Sequence, residues 1–491
     1  MKGKTKGWIT AGHPDTAAAA ERMLLEGGNA FDAAIAALWA TFIAEACMCS
    51  AGGGAFANIY HQGNSFILDG FCQTPISNQL EQDPDFFPIL VDFGTATEEF
   101  HVGLASMAVP GTVALAFEMA DRFASLPMKV LMEPAIELAI NGSVIDDFQH
   151  YDHEVLVDIL SLAEPLKSLF FKANRQLLEV GDRLYLPKTA DVLEHLALEG
   201  PALFYQGELS AKVAQDSKER GGFLRRADFE HYQIVERPSL SFPFGEMMIH
   251  TNPLPSIGGP LMFHAAKGFD RPFLPAEHLA EVYQMLKRID DAPKRVAELA
   301  QLLPSSDSFN RRGSTTHFNV LDEYGQAVAI TGSNGEGSGY CIPGTDIQMN
   351  NMLGESALLP DGFHNWTPNT RLSSMMSPCL VTKADQVQYV LGTGGASRIP
   401  RAILQVLHYL IASQLPVDAA VHAPRAHWEH GTLELEPGFE GLDHEALKPL
   451  NRRDWDQSSM FFGGVHVIGK SGNGFVSVGD QRRSGVALVV E

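Results

Sequence analysis

Apolar residues recur at helical spacing over residues 15–46, and alanine supplies most of them. Gly27-Gly28-Asn29 interrupts this pattern, as is typical where one helix ends in a left-handed cap and a second helix begins. The pattern therefore predicts two packed helices. The most apolar segment, residues 33–44, is far shorter than the ~20 residues that a membrane-spanning helix needs. We expect it to be a buried helix and expect no membrane partner.

After these helices, apolar residues recur at the shorter spacing of a strand. Residues 56–69 alternate between apolar and other residues after the triplet Gly52-Gly53-Gly54, which predicts a tight turn that leads into a strand. A lysine followed by serine or threonine does not come after this triplet, so a phosphate-binding loop is not favoured. Residues 113–198 return to a mainly helical pattern. Helix-rich segments thus precede strand-rich ones, which favours sheets enclosed between helices.

The pattern changes again near residue 315. Residues 303–314 are polar and rich in helix breakers, whereas residues 316–330 alternate like a strand and turn at Glu323-Tyr324-Gly325. The sequence therefore predicts a loop that enters a β-hairpin at Thr315.

Composition restricts the class of protein. The chain has 491 residues, of which 45% are hydrophobic and 19% charged, as in globular proteins with a large core. The formal net charge of -23 argues against a nucleic-acid or anionic-membrane partner, because such surfaces would repel the chain. The basic amino terminus lacks an apolar stretch of signal-peptide length, which predicts a cytoplasmic protein. An export signal lost with a shortened start would leave this same sequence, so export stays open.

The cysteines indicate a reducing compartment. There are five of them, an odd number without paired metal-ligand spacing, which does not fit a disulfide framework. Cys47-Met48-Cys49 is more typical of small buried side chains than of a metal site. We therefore expect no metal at these cysteines, and the mechanism implied by the resemblance described below needs none.

The segment Thr315-Thr316-His317-Phe318-Asn319-Val320, followed by Asp322 and Gly325, is similar to the stretch that begins the small subunit of the gamma-glutamyltranspeptidases. The resemblance extends over nearly the whole chain, with further blocks in the family's order. These blocks are Glu26-Gly27-Gly28-Asn29-Ala30-Phe31-Asp32-Ala33-Ala34, Gly52-Gly53-Gly54-Ala55-Phe56, Ser106-Met107-Ala108-Val109-Pro110-Gly111-Thr112, Phe204-Tyr205-Gln206-Gly207, Gly221-Gly222 with Asp228 and Tyr232, Pro255-Ser256-Ile257-Gly258-Gly259, Arg371-Leu372-Ser373-Ser374-Met375-Met376-Ser377-Pro378 and Gly394-Gly395-Ala396-Ser397-Arg398-Ile399.

The resemblance implies an α+β fold, the four-layer αββα sandwich of the N-terminal-nucleophile hydrolases. It also implies self-cleavage between Ser314 and Thr315, which would give a large subunit, 1–314, and a small subunit, 315–491, in one shared core. Thr315 would then be the nucleophile, and its freed α-amino group, with an ordinary pKa of about 7.7–8.0, would be the base. Nucleophile and base on one residue require no organic cofactor. We expect His317 to be a structural neighbour.

The same resemblance implies roles for other residues. Ser333 matches a hydroxyl residue that orients the nucleophile, and Gly395 and Ala396 match the pair whose N–H groups stabilise the oxyanion. Ser373 and Ser374 match the serines that hold the substrate's α-carboxylate. On the amino-group side, Glu355 stands where the family usually has aspartate. Gly335 replaces an asparagine of the family, and the adjacent Asn334 would substitute for it in binding the substrate through a shifted loop.

The residues that differ from the family are those expected to recognise the substrate. Phe71 replaces the arginine that pairs with the substrate's α-carboxylate, and Met352 replaces an amide residue. Our leading hypothesis is hydrolysis of γ-glutamyl or related amides, with transfer to an amine or amino acid as a second fate. One alternative is an acylase of the same fold that acts on another acyl group. The other is a non-catalytic binding protein, which the alanine in the oxyanion pair also motivates.

Overall fold

A computed structural model describes residues 4–92, 97–301, 314–429, 431–439 and 445–491. The predicted loop over 303–314 therefore lies outside the described residues, except for Ser314. The strands are β1 Gly7–Ala11, β2 Gly54–His61, β3 Asn64–Gly70, β4 Phe87–Asp92, β5 Thr97–Val102, β6 Ser143–Val144, β7 Arg183–Leu184, β8 Val235–Pro238, β9 Leu240–Phe244, β10 Met247–Thr251, β11 Thr316–Asp322, β12 Ala327–Ser333, β13 Cys379–Lys383, β14 Gln386–Gly392, β15 Ala426–Glu429, β16 Thr432–Leu435, β17 Asn451–Asp454, β18 His466–Ser471, β19 Gly474–Val478 and β20 Val486–Val490.

Two antiparallel sheets form the centre of the molecule. The first has seven strands in the order β20-β1-β11-β12-β2-β3-β8, and the second has six in the order β19-β18-β14-β13-β10-β9. Apolar side chains from both sheets, among them Leu321, Ala329, Leu380 and Val390, form one buried cluster between them. The sheets are thus stacked face to face, and the side chains between them hold the two layers together.

Helices cover the outer face of each sheet. Trp39 of the alanine-rich helix packs in one cluster with Val320 and Ile330 of the first sheet, whereas Leu286 and Ile403 pack with Leu391 of the second. The helices are α1 Pro14–Leu25, α2 Ala30–Ala44, α3 Thr112–Phe123, α4 Met128–Asn141, α5 Asp147–Val155, α6 Val157–Leu160, α7 Glu164–Phe170, α8 Pro187–Glu199, α9 Ala202–Tyr205, α10 Glu208–Glu219, α11 Arg226–Glu230, α12 Gly258–Ala266, α13 Pro275–Arg295, α14 Ala297–Ala300, α15 Ile399–Leu407 and α16 Val417–His422. The result is the expected four-layer αββα sandwich.

The first two helices confirm the prediction from the alanine pattern. Helix α1 ends before Gly27, whose φ of +92° is a conformation that glycine adopts readily. Helix α2 begins with a capping box, in which Asn29 accepts hydrogen bonds from the backbone and Asp32 accepts one in return. All of α2 is buried, and none of the described helices is long and apolar enough to cross a membrane.

The alternating segment after the glycine triplet forms two strands, whereas the sequence pattern predicted one. Strands β2 and β3 pair antiparallel and are joined at Gln62 and Gly63, which have φ values of 50° and 81°. Two successive positive φ angles are typical of a tight hairpin turn. Glutamine is an uncommon residue in such a turn, so the sequence did not indicate that the strand turns here.

The predicted hairpin after Thr315 is confirmed as β11 and β12, which pair antiparallel from Thr316 opposite Gly332. Both strands are buried along their whole length, because the helices cover one face of their sheet and the second sheet covers the other. This hairpin places residue 315 next to the end of β12, where Ser333 lies.

Candidate active site

Thr315 lies at the beginning of β11, and the chain runs unbroken from Ser314 to Thr315. The structure therefore describes the uncleaved form. The Thr315 hydroxyl donates to Ser333 Oγ at 3.3 Å, and Ser333 Oγ donates to the carbonyl oxygen of Ser314 at 2.8 Å. The Ser333 hydroxyl thus contacts both the candidate nucleophile, Thr315, and the carbonyl group of Ser314 that this nucleophile would attack.

Two buried ionisable groups, Arg483 and Glu45, hold the residues after the scissile bond. Arg483 Nη1 donates to the carbonyl oxygen of Thr315 at 3.0 Å. Glu45 accepts from the Thr316 hydroxyl and from Thr16 Oγ1 at 2.7 Å, and burial raises the pKa of Glu45. These contacts hold the backbone on the carboxyl side of Thr315.

His317 has a structural place, as predicted. Its ring nitrogens lie 2.8 Å from Thr331 Oγ1 and 2.9 Å from Asn319 Oδ1. Burial lowers the pKa of His317 to about 3, so the ring is neutral at physiological pH. A neutral ring engaged at both nitrogens links β11 to β12 and has no free atom for proton transfer.

Two buried carboxyl groups that no sequence pattern singled out hold Ser314. Asp152 Oδ1 lies 2.8 Å from Ser314 Oγ. Glu336 Oε2 lies 3.1 Å from the same oxygen, and Glu336 Oε1 accepts from Ser314 N at 3.2 Å. Burial raises the pKa of Asp152 to about 6, and burial with the neighbouring Glu355 and Asp152 raises the pKa of Glu336 well above its ordinary value. A serine hydroxyl has one proton to donate, so it can satisfy only one of the two carboxyl groups when both are ionised.

A pH-dependent effect on stability follows at Asp152. Its pKa is about 6 in the folded chain, against an ordinary 3.8, so the folded chain binds more protons between these values and loses stability as the pH rises through them. Asp152→Asn, made in the uncleavable Thr315→Ala chain, should therefore gain about 2.4 kcal/mol of unfolding free energy relative to its parent between pH 4 and pH 8. Denaturant unfolding at both pH values measures this difference, and parallel curves for the two chains would contradict it.

Thr315 lines a cleft with about 560 Å³ of empty space. Ser333, Ser374 and Glu355 contribute polar groups to its wall, and Phe71 lies in the same wall, stacked on Phe56 at 5.2 Å between ring centroids. The other lining residues are Ile257, Gly335, Met352, Ala357, Leu358, Met375, Met376, Ala396, Ser397 and Ile399. Among the described residues that line it there is one carboxyl group and no lysine, arginine or histidine.

A cation does fold beside Phe71, but it is not among the residues that line the cleft. Arg371 Nη1 donates to the Phe71 carbonyl oxygen at 2.7 Å, and Nη2 donates to the Gln233 carbonyl oxygen at 2.7 Å. Its Nε lies 3.1 Å from Asp69 Oδ1, and the guanidinium lies over the Tyr232 ring. Sequence reasoning missed this arrangement, since Arg371 is 300 residues from Phe71.

The structure separates the predicted binding residues. Ser374 lines the cleft, whereas Ser373 lines a neighbouring cavity and its hydroxyl donates to the Leu358 carbonyl oxygen at 3.5 Å. Asn334 is fully buried outside the cleft lining, where Oδ1 accepts from Ser50 Oγ at 3.0 Å and Nδ2 donates to the Ala46 carbonyl oxygen at 3.3 Å. The structure therefore brings Glu355 and Ser374 to the nucleophile, and it does not bring Asn334 or Ser373 there.

Asparagine at Gly335 would require neighbouring side chains to move. Its φ is +63°, and a Cβ at this position would lie 2.2 Å from Glu355 Oε1 and 2.3 Å from Asn351 Oδ1. The space that an asparagine side chain would need is thus already occupied by these two side chains.

The predicted oxyanion pair has left-handed backbone angles. Gly395 has a φ of 120° and Ala396 a φ of 47°, and Ala396 lines the cleft. Alanine in this region costs about 1–2 kcal/mol, part of which is offset because alanine restricts the unfolded chain more than glycine does.

Ala396→Gly should therefore raise the free energy of unfolding by about 0.5–1 kcal/mol, since it relieves this conformational cost and keeps the N–H group. Ala402→Gly, inside α15, is the matched control and should lower it by about 1 kcal/mol. Denaturant unfolding of both variants measures the two values. A loss of stability in Ala396→Gly would contradict a strained alanine at this position.

Comparisons with known proteins agree with this geometry. The profile of the family described as Gamma-glutamyltranspeptidase matches residues 16–270 and 271–490. A glutathione hydrolase proenzyme of Escherichia coli (strain K12) is 30% identical, over 85% of this chain and 80% of that protein. An acylase ACY 1 proenzyme of Pseudomonas sp. (strain V22) is 28% identical, over 90% of this chain and 86% of that protein.

A solved structure shows the same fold. The cephalosporin acylase from Bacillus halodurans superimposes with a TM-score of 0.84 at 22% identity, over 99% of this chain and 96% of that one. The profile match covers both halves of the chain, and Thr315, the nucleophile that the resemblance implied, lines the cleft. The chain belongs to the gamma-glutamyltranspeptidase family of N-terminal-nucleophile hydrolases.

Proposed function

We propose that this chain cleaves itself between Ser314 and Thr315 and then hydrolyses amides through an acyl-Thr315 intermediate, with preference for acyl groups that lack an α-carboxylate. The observation that carries the proposal is the cleft that Thr315 lines. Its wall contains Phe71, Met352, Met375 and Met376 and, among the described lining residues, a single charged group, Glu355.

Self-cleavage would proceed as an acyl shift. Thr315 Oγ adds to the Ser314 carbonyl carbon, the C–N bond breaks with a proton passing to the nitrogen, and an ester joins Ser314 to the threonine oxygen. Water then opens the ester and gives a Ser314 carboxylate and a Thr315 hydroxyl. The contact of Ser333 Oγ with both reacting groups supports this step, because a hydroxyl that donates to the carbonyl oxygen stabilises the negative charge that develops there.

Hydrolysis of a substrate amide would repeat the chemistry with the freed α-amino group of Thr315 as base. Thr315 Oγ attacks the substrate carbonyl, the amine leaves with a proton, and water releases the acid. The backbone N–H groups of Gly395 and Ala396 are the candidates for stabilising the oxyanion. The products in the chain itself would be a large subunit of 1–314 and a small subunit of 315–491.

The charge of the cleft supports the preferred acyl group. A substrate α-carboxylate would enter a wall with no described cation and one carboxyl group, and an unpaired buried charge is costly. Arg371 does not supply the counter-charge from its observed position, because its donors are directed to backbone carbonyl oxygens and Asp69. An apolar acyl chain, with or without an ammonium group for Glu355, suits this wall better.

Hydrolysis of γ-glutamyl amides is the second candidate. Glu355 and Ser374 both line the cleft, in agreement with two of the positions that resemble substrate-binding residues of the family. Glu355 can pair with an ammonium group, but Ser374 alone would have to hold the α-carboxylate, and its Oγ already accepts from Met376 N at 3.1 Å.

Four p-nitroanilides of matched length decide between these candidates: γ-glutamyl, 4-aminobutanoyl, glutaryl and butanoyl. The proposal predicts that kcat/KM for each carboxylate-bearing donor is lower by about tenfold or more than for its partner without the carboxylate, because burying that group unpaired costs more than about 1.4 kcal/mol. If γ-glutamyl is the best donor, the second candidate replaces the first. If the cleaved protein hydrolyses none of the four and binds them instead, a non-catalytic role is supported.

A further inference from the structure

The groups around Ser314 are not used by the mechanism of amide hydrolysis. Asp152 belongs to α5 in the first half of the chain, and Glu336 follows β12. Both are at least nine-tenths buried, and both contact Ser314, the residue on the acyl side of the bond that is to be cleaved. Neither lines the cleft described above.

We propose that Asp152 and Glu336 form a carboxyl clamp, meaning the two side chains that hold Ser314 by its Oγ and N–H, and that this clamp positions the scissile peptide for self-cleavage. The inference rests on the proposed function, since it presupposes cleavage at Ser314–Thr315. Both clamp residues are positioning residues, because they touch Ser314 and not the reacting atoms.

The geometry gives the clamp its effect. Three contacts, of 2.8, 3.1 and 3.2 Å, fix one residue at both its backbone N–H and its side chain. With those two directions fixed, the carbonyl of Ser314 is held where Ser333 Oγ donates to it and where Thr315 Oγ can approach its carbon. A displacement of 1 Å at a reacting group can cost about 10²-fold in rate, so holding Ser314 matters for cleavage.

The ionisable groups around the clamp favour binding of Ser314 in the uncleaved chain over binding of Ser314 after cleavage. The Ser314 hydroxyl and N–H satisfy carboxyl oxygens that would otherwise be buried beside each other. Glu355 and Glu45 are further carboxyl groups nearby, and Arg483 is a cation that faces both clamp residues and also holds the Thr315 carbonyl oxygen. Hydrolysis places a new carboxylate on Ser314, next to the pair, and like charges at this distance repel. The clamp therefore binds Ser314 of the precursor more tightly than Ser314 of the cleaved product.

The test follows cleavage of newly made protein over time. The full chain and its variants are made by cell-free synthesis, and intact mass measures the rate at which 1–314 and 315–491 appear. Asp152→Ala, Glu336→Ala and Ser314→Ala should each slow cleavage by about 10- to 100-fold, the effect of losing a buried hydrogen bond. Glu336→Gln should cleave within about threefold of the parent, since its amide keeps an acceptor for Ser314 N and a donor for Ser314 Oγ.

A double variant distinguishes an effect on the position of Ser314 from an effect on the stability of the fold. Asp152→Ala combined with Ser314→Ala should be no slower than Ser314→Ala alone, because both changes remove the same contact. Cleavage of the folded single variants at the parent's rate would overturn the clamp and leave the proposed function standing. If the carboxyl variants fail to fold, Ser314→Ala decides, and its cleavage at the parent's rate would overturn the clamp. A parent chain that never cleaves would contradict the proposed function as well.

Discussion

Thr315→Ala is expected to remain a single chain of 53.5 kDa and to lose amide hydrolysis by about 10⁴-fold or more, to background. The reason is that one oxygen atom is needed twice. Thr315 Oγ1 is placed toward Ser333 and the Ser314 carbonyl for self-cleavage, and Thr315 lines the cleft where the same oxygen would attack a substrate. Intact mass and hydrolysis of the best p-nitroanilide donor measure the two losses.

The control for this prediction is Thr315→Ser, which keeps the hydroxyl and removes only a methyl group. It should still cleave and hydrolyse, at rates reduced by less than those of the alanine variant. Fragments of 1–314 and 315–491 from Thr315→Ala, or activity in the uncleaved variant, would remove Thr315 from the mechanism.

Gly394→Ala is expected to slow self-cleavage by about 10²-fold or more. A Cβ at Gly394 would lie 2.0 Å from the Thr315 carbonyl oxygen, 2.8 Å from its carbonyl carbon and 2.8 Å from Arg483 Nη1. These atoms are backbone and a buried guanidinium that holds it, so the overlap must be relieved by moving the nucleophile's own backbone. The rate of appearance of the two fragments, measured by intact mass, shows the effect.

A matched glycine serves as the control for Gly394→Ala. Gly474 also lacks a positive φ, and nothing lies within 4 Å of the Cβ that alanine would add there. Gly474→Ala should cleave at the parent's rate. Equal rates for the two variants would mean that the close approach of Gly394 to Thr315 has no role in cleavage.

Much of the fold could be predicted from local patterns. The two helices around Gly27-Gly28-Asn29 and the hairpin after Thr315 were predicted because their periods and breakers are local features. The hairpin at Gln62 and Gly63 was not, since glutamine at a positive φ is not a usual turn signal. The stacking of the two sheets followed from the family resemblance and not from composition.

The candidate site could be predicted only in part. The resemblance implied Thr315 and Ser333, which contact each other, and Glu355 and Ser374, which line the cleft. Asp152 could not be found in this way, because it reaches Ser314 across 162 residues from a helix without any motif. Asn334 and Ser373 were predicted from their positions in the sequence. Those positions do not reveal that both side chains lie outside the cleft lining.

The intact mass of the parent chain, after folding and incubation near neutral pH, shows whether the chain cleaves itself. We predict two fragments, one ending at Ser314 and the other beginning at Thr315, with amide hydrolysis appearing as they form. A folded protein that retains only its full-length mass of 53.5 kDa would contradict self-cleavage and, with it, Thr315 as an N-terminal nucleophile.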